Sequence, residues 1–382
     1  MNERVRLAVL GLGAVARAVH LPILSRRSDR FEIAGICDVA DAAVTAVGDR
    51  FCIPRQRRFS TLERMLDAVS ADALAVLTSG SHAGAALAGL DRGLAVLSEK
   101  PLAMTVREAD LLATAVGARR DRLMLAYMKL YDPAVRRAVQ LVAARPRARA
   151  VEVTVLHPSS EAQLAASELG PGVFAASPEV ARSFSEGLRA LEAEALGPPA
   201  AASLGALYSG VLLGSVVHDL AVLRALGIEI AVIDHAERWP ASAVPASLAV
   251  FGRTTDGVRV SVQWHYLHDY PAYRELVRWH DERGSVELEF PSPYLLRAPT
   301  VLREISADGD LTGDRRFTSP TEAFEEQLLA FHAMVTVAAA PAAGVPEGRA
   351  DIVTCQRVAS AIARREEVHI GGEAAATVPA DR

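Results

Sequence analysis

The stretch VRLAVLGLGAVARAVHLPIL, residues 5–24, decides the fold. VRLAVLG is a short apolar run of strand type that ends on a glycine. Gly11-x-Gly13-x-x-Ala16 follows, and AVARAVHLPILSR reads as the helix after it. A lone motif of this kind is weak, but here both flanks are right. The first glycine permits a tight turn, the second lets the backbone approach a pyrophosphate, and the third small residue allows close helix–strand packing. The N–H groups that open the helix, at Gly13, Ala14 and Val15, are then free to face phosphates.

The rest of the first third alternates short apolar runs with amphipathic segments, as βαβ units do. FEIAGICD (31–38) reads as the second strand, with a helix over 40–50. Ser60 or Thr61 caps a short helix carrying Leu62, Met65 and Leu66 at helical spacing. DALAVLT (72–78) is a buried strand, and 82–92 a helix ended by Gly93. LAVLSEKP (94–101) is a strand stopped by Pro101, Thr105 caps a helix to about Val116, and RLMLAYM (122–128) is the last of six strands. This predicts an α/β Rossmann domain over 1–125 with a doubly wound parallel sheet. Asp38 ends the second strand, 27 residues after Gly11. A carboxylate there accepts from both ribose hydroxyls and repels a 2′-phosphate, so the expected cofactor is NAD rather than NADP. No arginine directly follows Asp38; Arg55, Arg57 and Arg58 are the ones that could fold back.

After Asp132–Pro133 the pattern changes. ARAVEVTV (148–155) is a strand, and the Ala-, Ser- and Pro-rich stretch 158–202 is expected to form helices and loops close to a substrate. Residues 203–226 form an apolar helix. VRVSVQWHY (258–266) alternates, and ERG (282–284) turns between LVRWH and SVELEF as a hairpin. Helices follow at about 322–338 and 350–364. The expectation is an α+β domain over 126–370 with an open, mostly antiparallel sheet, then a disordered tail over 371–382.

The chain has 382 residues, 51% of them hydrophobic, and a net charge of −5, enough for two cores. No basic stripe argues for nucleic acid, and no apolar stretch reads as long and uninterrupted enough for a membrane span. Cys37, Cys52 and Cys355 share no metal or redox spacing, which fits a reduced compartment. Without a signal-peptide pattern after MNERVR, the expected location is cytoplasmic. Of 41 basic residues 39 are arginine; the two lysines are Lys100 and Lys129. A lysine kept against that bias invites a reason specific to lysine, whose ammonium can give up a proton when buried.

GLGAVARAVHLPIL, LTSGSHAGAALAGLDRGLAVLSEKPLAMT (77–105), YMKLYDPAV (127–135) and SVVHDLAVLRALG (215–227) resemble the glucose–fructose oxidoreductase/inositol dehydrogenase family, Gfo/Idh/MocA. The resemblance covers the first domain and continues into the second. It implies an NAD(P)-dependent enzyme acting on sugars, cyclitols or related polyols, in a homo-oligomer (dimer or tetramer) whose open sheets pair face to face. It places Lys100 of Glu99-Lys100-Pro101 beside the nicotinamide and the reacting carbinol. The residues agree: Lys100 ends a parallel strand at the carboxyl edge, where ligands bind in such folds, and a lysine with a lowered pKa can move the alcohol proton. Thr78, Ser79, His82 and Glu99 are placed near the cofactor, Glu99 as a structural acceptor. His20 and Pro22 match a structural His-x-Pro, and Lys129 a basic position that faces substrate.

The resemblance also shows a departure. The family reads Asp-x-x-x-His-x-x-Asp on the helix entering the sheet domain. His218 matches the histidine, but Gly214 stands in the first Asp position and Ala221 in the last. Asp219 adjoins His218, yet consecutive helical residues point about 100° apart, so it is expected to serve a backbone group or Arg224. Tyr208 or Ser215 could supply the missing polar partner, and Tyr273, Arg274 and Tyr294 are possible substrate-edge contacts. His265, His268 and His280 fit no metal motif, and no metal is expected. The expected function is hydride transfer between nicotinamide and a secondary alcohol or ketone of a sugar-like molecule, with Lys100 and His218 catalytic. The alternatives are a redox-neutral enzyme using bound NAD and a non-catalytic dinucleotide-binding protein.

Overall fold

Apolar runs such as Leu7–Val9 and Ala73–Val76 are buried on both faces, the condition of a parallel sheet covered by helices. The computed structural model describes residues 4–164 and 176–377. The first sheet has strands β1 (Val5–Leu10), β2 (Phe31–Cys37), β3 (Arg58–Phe59), β4 (Ala73–Val76), β5 (Ala95–Ser98) and β6 (Leu123–Leu125). They lie in the order β3-β2-β1-β4-β5-β6, all parallel. The winding reverses between β1 and β4, and their carboxyl ends flank the switch point where ligands bind in such sheets. Thr61 and Thr105 cap their helices as expected, Thr105 in a reciprocal capping box with Glu108. β3 is only two residues long, too short to leave a pattern.

The chain forms two units. The first holds Met1–Tyr127, Ser167–Leu191 and Phe324–Ile352; the second holds Met128–Ala166, Glu192–Ala323 and Val353–Arg382. The first unit is therefore wider than 1–125. The helix Ala323–Val337 packs Phe324 against His20 and His332 against Phe31. Leu125 N–H donates to Ala343, and the Tyr127 hydroxyl to Asp351 at 2.6 Å. These contacts join residues more than 200 positions apart in sequence, which no local pattern announces.

The second unit carries an eight-stranded sheet. Its strands are β7 (Ala150–His157), β8 (Val232–Trp239), β9 (Ser247–Arg253), β10 (Arg259–Tyr266), β11 (Arg274–Asp281), β12 (Gly284–Phe290), β13 (Val301–Asp308) and β14 (Leu311–Thr318). The order is β14-β13-β12-β11-β7-β10-β9-β8, with β7 and β10 parallel and every other pair antiparallel. One face buries Val153, Val155, Val262, Trp264, Val277, Trp279, Leu288 and Phe290. Residues 282–283 make the hairpin turn between β11 and β12.

Two expectations are corrected here. The apolar helix runs from Pro198 to Ala225 with a π-helical middle at Tyr208–Val216. At 28 residues it is long and apolar enough to cross a membrane by length and composition, although 56% of its most apolar window is buried inside the protein. Nor is 371–377 a disordered tail. Gly371 N–H donates to Leu196 O, Glu373 N–H donates to Glu194 O, and Ala374–Thr377 is helical with Ala374 fully buried. A Cβ on Gly197 would lie 2.7 Å from Gly371 Cα, so the glycines mark a close backbone crossing. Residues 378–382, and 165–175 of the Ala-, Ser- and Pro-rich stretch, lie outside the described residues.

Candidate functional site

The glycine loop leaves β1 with Gly11 at φ +93°. A Cβ there would lie 2.6–2.7 Å from the backbone of Leu77 and Thr78 at the end of β4. The loop can cross the switch point only as glycine. Gly13 differs: a Cβ there would meet nothing within 4 Å. The space before it is open, as close approach of a pyrophosphate requires. The helix opens at Ala14 and Val15, both half-buried. The Asp38 carboxylate accepts the Leu12 N–H at 2.7 Å and the Ala40 N–H at 2.9 Å. It braces the loop while keeping lone pairs for hydroxyl donors, since a carboxylate has about four acceptor sites. These features fit a dinucleotide.

Of the arginines that could fold back, Arg57 and Arg58 make other contacts. Arg57 donates to Glu32 and Ile33 O, and Arg58 to Asp49 and Ile53 O. The cation that sequence reading missed is Arg17, one helical turn after Gly13. Its Nε donates to Gly13 O at 3.4 Å. Burial and the nearby Arg50 charge hold its guanidinium below the usual range, against the pull of Asp38.

At the carboxyl end of β5, Lys100 is half-buried and its peptide bond to Pro101 is cis. Glu99 beside it is buried. Its Oε1 lies 3.0 Å from His20 Nε2, and its Oε2 accepts the Lys100 N–H at 3.2 Å. Burial alone would raise the Glu99 pKa; the His20 hydrogen bond and the His20, Lys100 and His82 charges outweigh it and hold the carboxyl below its usual range. His82 is buried, with Nδ1 2.5 Å from Pro101 O and Nε2 2.8 Å from Thr78 O. One neutral tautomer donates to one of these carbonyls, and only the imidazolium donates to both. Either way His82 ties the β4 end to the segment after Lys100. Thr78 is half-buried and Ser79 exposed at that end.

In the second unit the expected residues separate. His218 is half-buried and Asp219 buried, on different faces of their helix. Tyr208 is fully enclosed, and the Ser215 hydroxyl accepts from Trp264 Nε1 at 3.0 Å. Gly214 lies in the π-helical turn, where a Cβ would sit 3.3 Å from Ser209 O, so an aspartate there would have to push the turn open. Lys129 is buried too, its ammonium on Glu275 Oε2 and 4.7 Å from the Phe290 ring centroid. The Tyr273 hydroxyl donates to the same oxygen at 2.5 Å. Asp219 belongs to this cluster, while Arg224 approaches Glu229. Burial, then the neighbouring Glu275 charge, holds Asp219 well above the usual carboxylate range, and the same two causes raise Tyr273. Glu275 escaped sequence reading because its place beside Phe290 and Lys129 is set by strand pairing and not by local pattern. Among the described residues, no group of three side chains could hold a metal ion.

Residues 5–127 match the model of the Gfo/Idh/MocA family, described as an oxidoreductase family with an NAD-binding Rossmann fold. That segment is similar to the NAD-binding Rossmann domain of this family. The chain is 33% identical over 133 residues to D-xylose 1-dehydrogenase (NADP(+)) 2 of Haloferax volcanii, covering 35% of this chain and 40% of that protein. It is 32% identical over 141 residues to inositol 2-dehydrogenase 3 of Saccharopolyspora erythraea, covering 36% and 40%. These matches therefore span well under half of either relative. Among solved structures, the WlbA dehydrogenase from Bordetella pertussis in complex with NADH and UDP-GlcNAcA is similar with a TM-score of 0.68 and 16% identity, over 99% of this chain and all of that one. At that identity the likeness is one of fold, and it spans both units.

Proposed function

We propose that the protein is an oxidoreductase that moves a hydride between a nicotinamide dinucleotide and a secondary alcohol or ketone of a sugar, cyclitol or nucleotide sugar. The observation that carries this reading is one unit holding both the open glycine loop and Lys100, each at the carboxyl edge of the same parallel sheet. The names of the relatives, xylose and inositol dehydrogenases and a nucleotide-sugar dehydrogenase, support the substrate class.

When bound, the nicotinamide supplies the carbon that takes or gives the hydride. Gly13, Ala14 and Val15 hold the pyrophosphate with backbone N–H groups, and Asp38 accepts from the ribose. Lys100 takes the hydroxyl proton as the alcohol is oxidised and returns it in reduction. Glu99 holds the Lys100 backbone, and His82 holds the segment after it. His218 is the corresponding acid/base candidate of the second unit. NAD is the preferred cofactor in this reading because of Asp38; the Arg17 charge, which senses both Asp38 and Arg50, is what would admit a 2′-phosphate.

The test is Lys100→Met, with NADH binding measured beside turnover on aldoses, cyclitols and nucleotide sugars. Binding within about threefold of the parent, with turnover down at least about a hundredfold, supports the role of Lys100. Full activity in the variant overturns it.

A further inference from the structure

Glu275 is fully buried on β11, and one of its oxygens is crowded with donors. Oε2 takes both the Lys129 ammonium and the Tyr273 hydroxyl. Oε1 is buried without a donor, and so is Oδ1 of Asp219 on the helix. The two carboxyl groups are close enough for the charge of Glu275 to act on Asp219. Ionised carboxylates are acceptors only, and two of them in contact in a dry interior repel. The Lys129 ammonium balances one negative charge, not two. A single proton eases both problems: it turns a bare carboxyl oxygen into a donor and brings the cluster to neutrality.

We infer that Asp219 and Glu275 form a proton-binding site, holding one shared proton at neutral pH with Asp219 as its main carrier. Glu275 then stays ionised toward Lys129 and Tyr273. The raised pKa of Asp219, caused first by burial and next by Glu275, points the same way. The groups facing the pair are Lys129 from Met128–Tyr131 and Tyr273 from the approach to β11. Behind Tyr273 stand Tyr294 and the ring of His157 at 5.6 Å. A cation other than the proton is disfavoured, because the ammonium already occupies the cluster. The site does not depend on the oxidoreductase reading.

The site ties the packing of the long helix on the second sheet to pH. The folded chain holds a proton that the unfolded chain has released, so stability falls as pH rises. The infrared spectrum of the intact chain in deuterated buffer at neutral pH is read first, and it needs no variant. A carbonyl band of a buried protonated carboxyl group is expected, and its absence overturns the proposal. Asp219→Asn should remove the band, with Glu275→Gln serving if the first variant does not fold; a band that survives in a folded variant belongs to another carboxyl and overturns the assignment. In urea, the ratio of the parent unfolding constant to that of Asp219→Asn should rise about tenfold per pH unit between about pH 5 and about pH 7. A flat ratio contradicts a bound proton.

Discussion

Asp38 accepts the Leu12 N–H at 2.7 Å, so the carboxylate that ends β2 also braces the turn between the two loop glycines. In the proposed function, ligand selection and loop geometry would thus rest on one side chain. Replacing it tests both.

Asp38→Ala leaves the Leu12 and Ala40 N–H groups without their acceptor, at a cost of about 1–3 kcal/mol. Affinity for NADH should fall, while NADPH, relieved of a repulsive carboxylate, gains on it by about tenfold, ~1.4 kcal/mol. Parallel titrations with the two cofactors and a urea denaturation curve check this. An unchanged preference would remove Asp38 from cofactor selection.

The two loop glycines should fail differently. Gly11→Ala places a Cβ 2.6 Å from the Leu77 backbone at φ +93°, so it should destabilise the first unit by at least about 2 kcal/mol. Gly13→Ala meets no protein atom within 4 Å. It should melt within about 1 kcal/mol of the parent yet bind NADH more weakly. Thermal melting beside NADH titration separates the cases. Equal loss of stability in both would show that the loop is only a structural turn.

Glu99 supplies a pH dependence of opposite sign to Asp219. Its folded pKa is depressed, so its contribution is present above the unfolded value of 4.5 and is lost as pH falls through the folded pKa. Glu99→Gln should cost about 1–3 kcal/mol at neutral pH, and that deficit should shrink on acidification below 4.5. Urea denaturation at neutral and acid pH measures it. A deficit independent of pH would mean that the His20–Glu99 contact carries no ionic stabilisation.

What could be read from the residues was local. Gly11, Gly13 and Ala16 lie within one turn, Thr105 and Glu108 form their capping box within one helical turn, and the β11–β12 hairpin needs two loop residues. What could not be read was brought together by pairing. Lys129 and Glu275 stand 146 residues apart, and Lys129 also lies over Phe290, which pairs with Glu275 across β11 and β12. The helix carrying Phe324 shows its apolar face in sequence, but nothing in it says that this face packs on the first unit. Gly371 and Gly372 read as part of a disordered tail, and only the position of Gly197 shows the close backbone crossing they make. The same limit separates His218 from Asp219: their helix is legible, but not what each face meets.

The claim on which the functional account stands is that the first unit binds a nicotinamide dinucleotide. Titration of the purified chain with NADH, followed by nicotinamide fluorescence, tests it most directly. The account predicts saturable binding at one site per chain, kept in Lys100→Met and weakened in Gly13→Ala. Absence of saturable binding with both NADH and NADPH, in a chain that melts cooperatively, would contradict it.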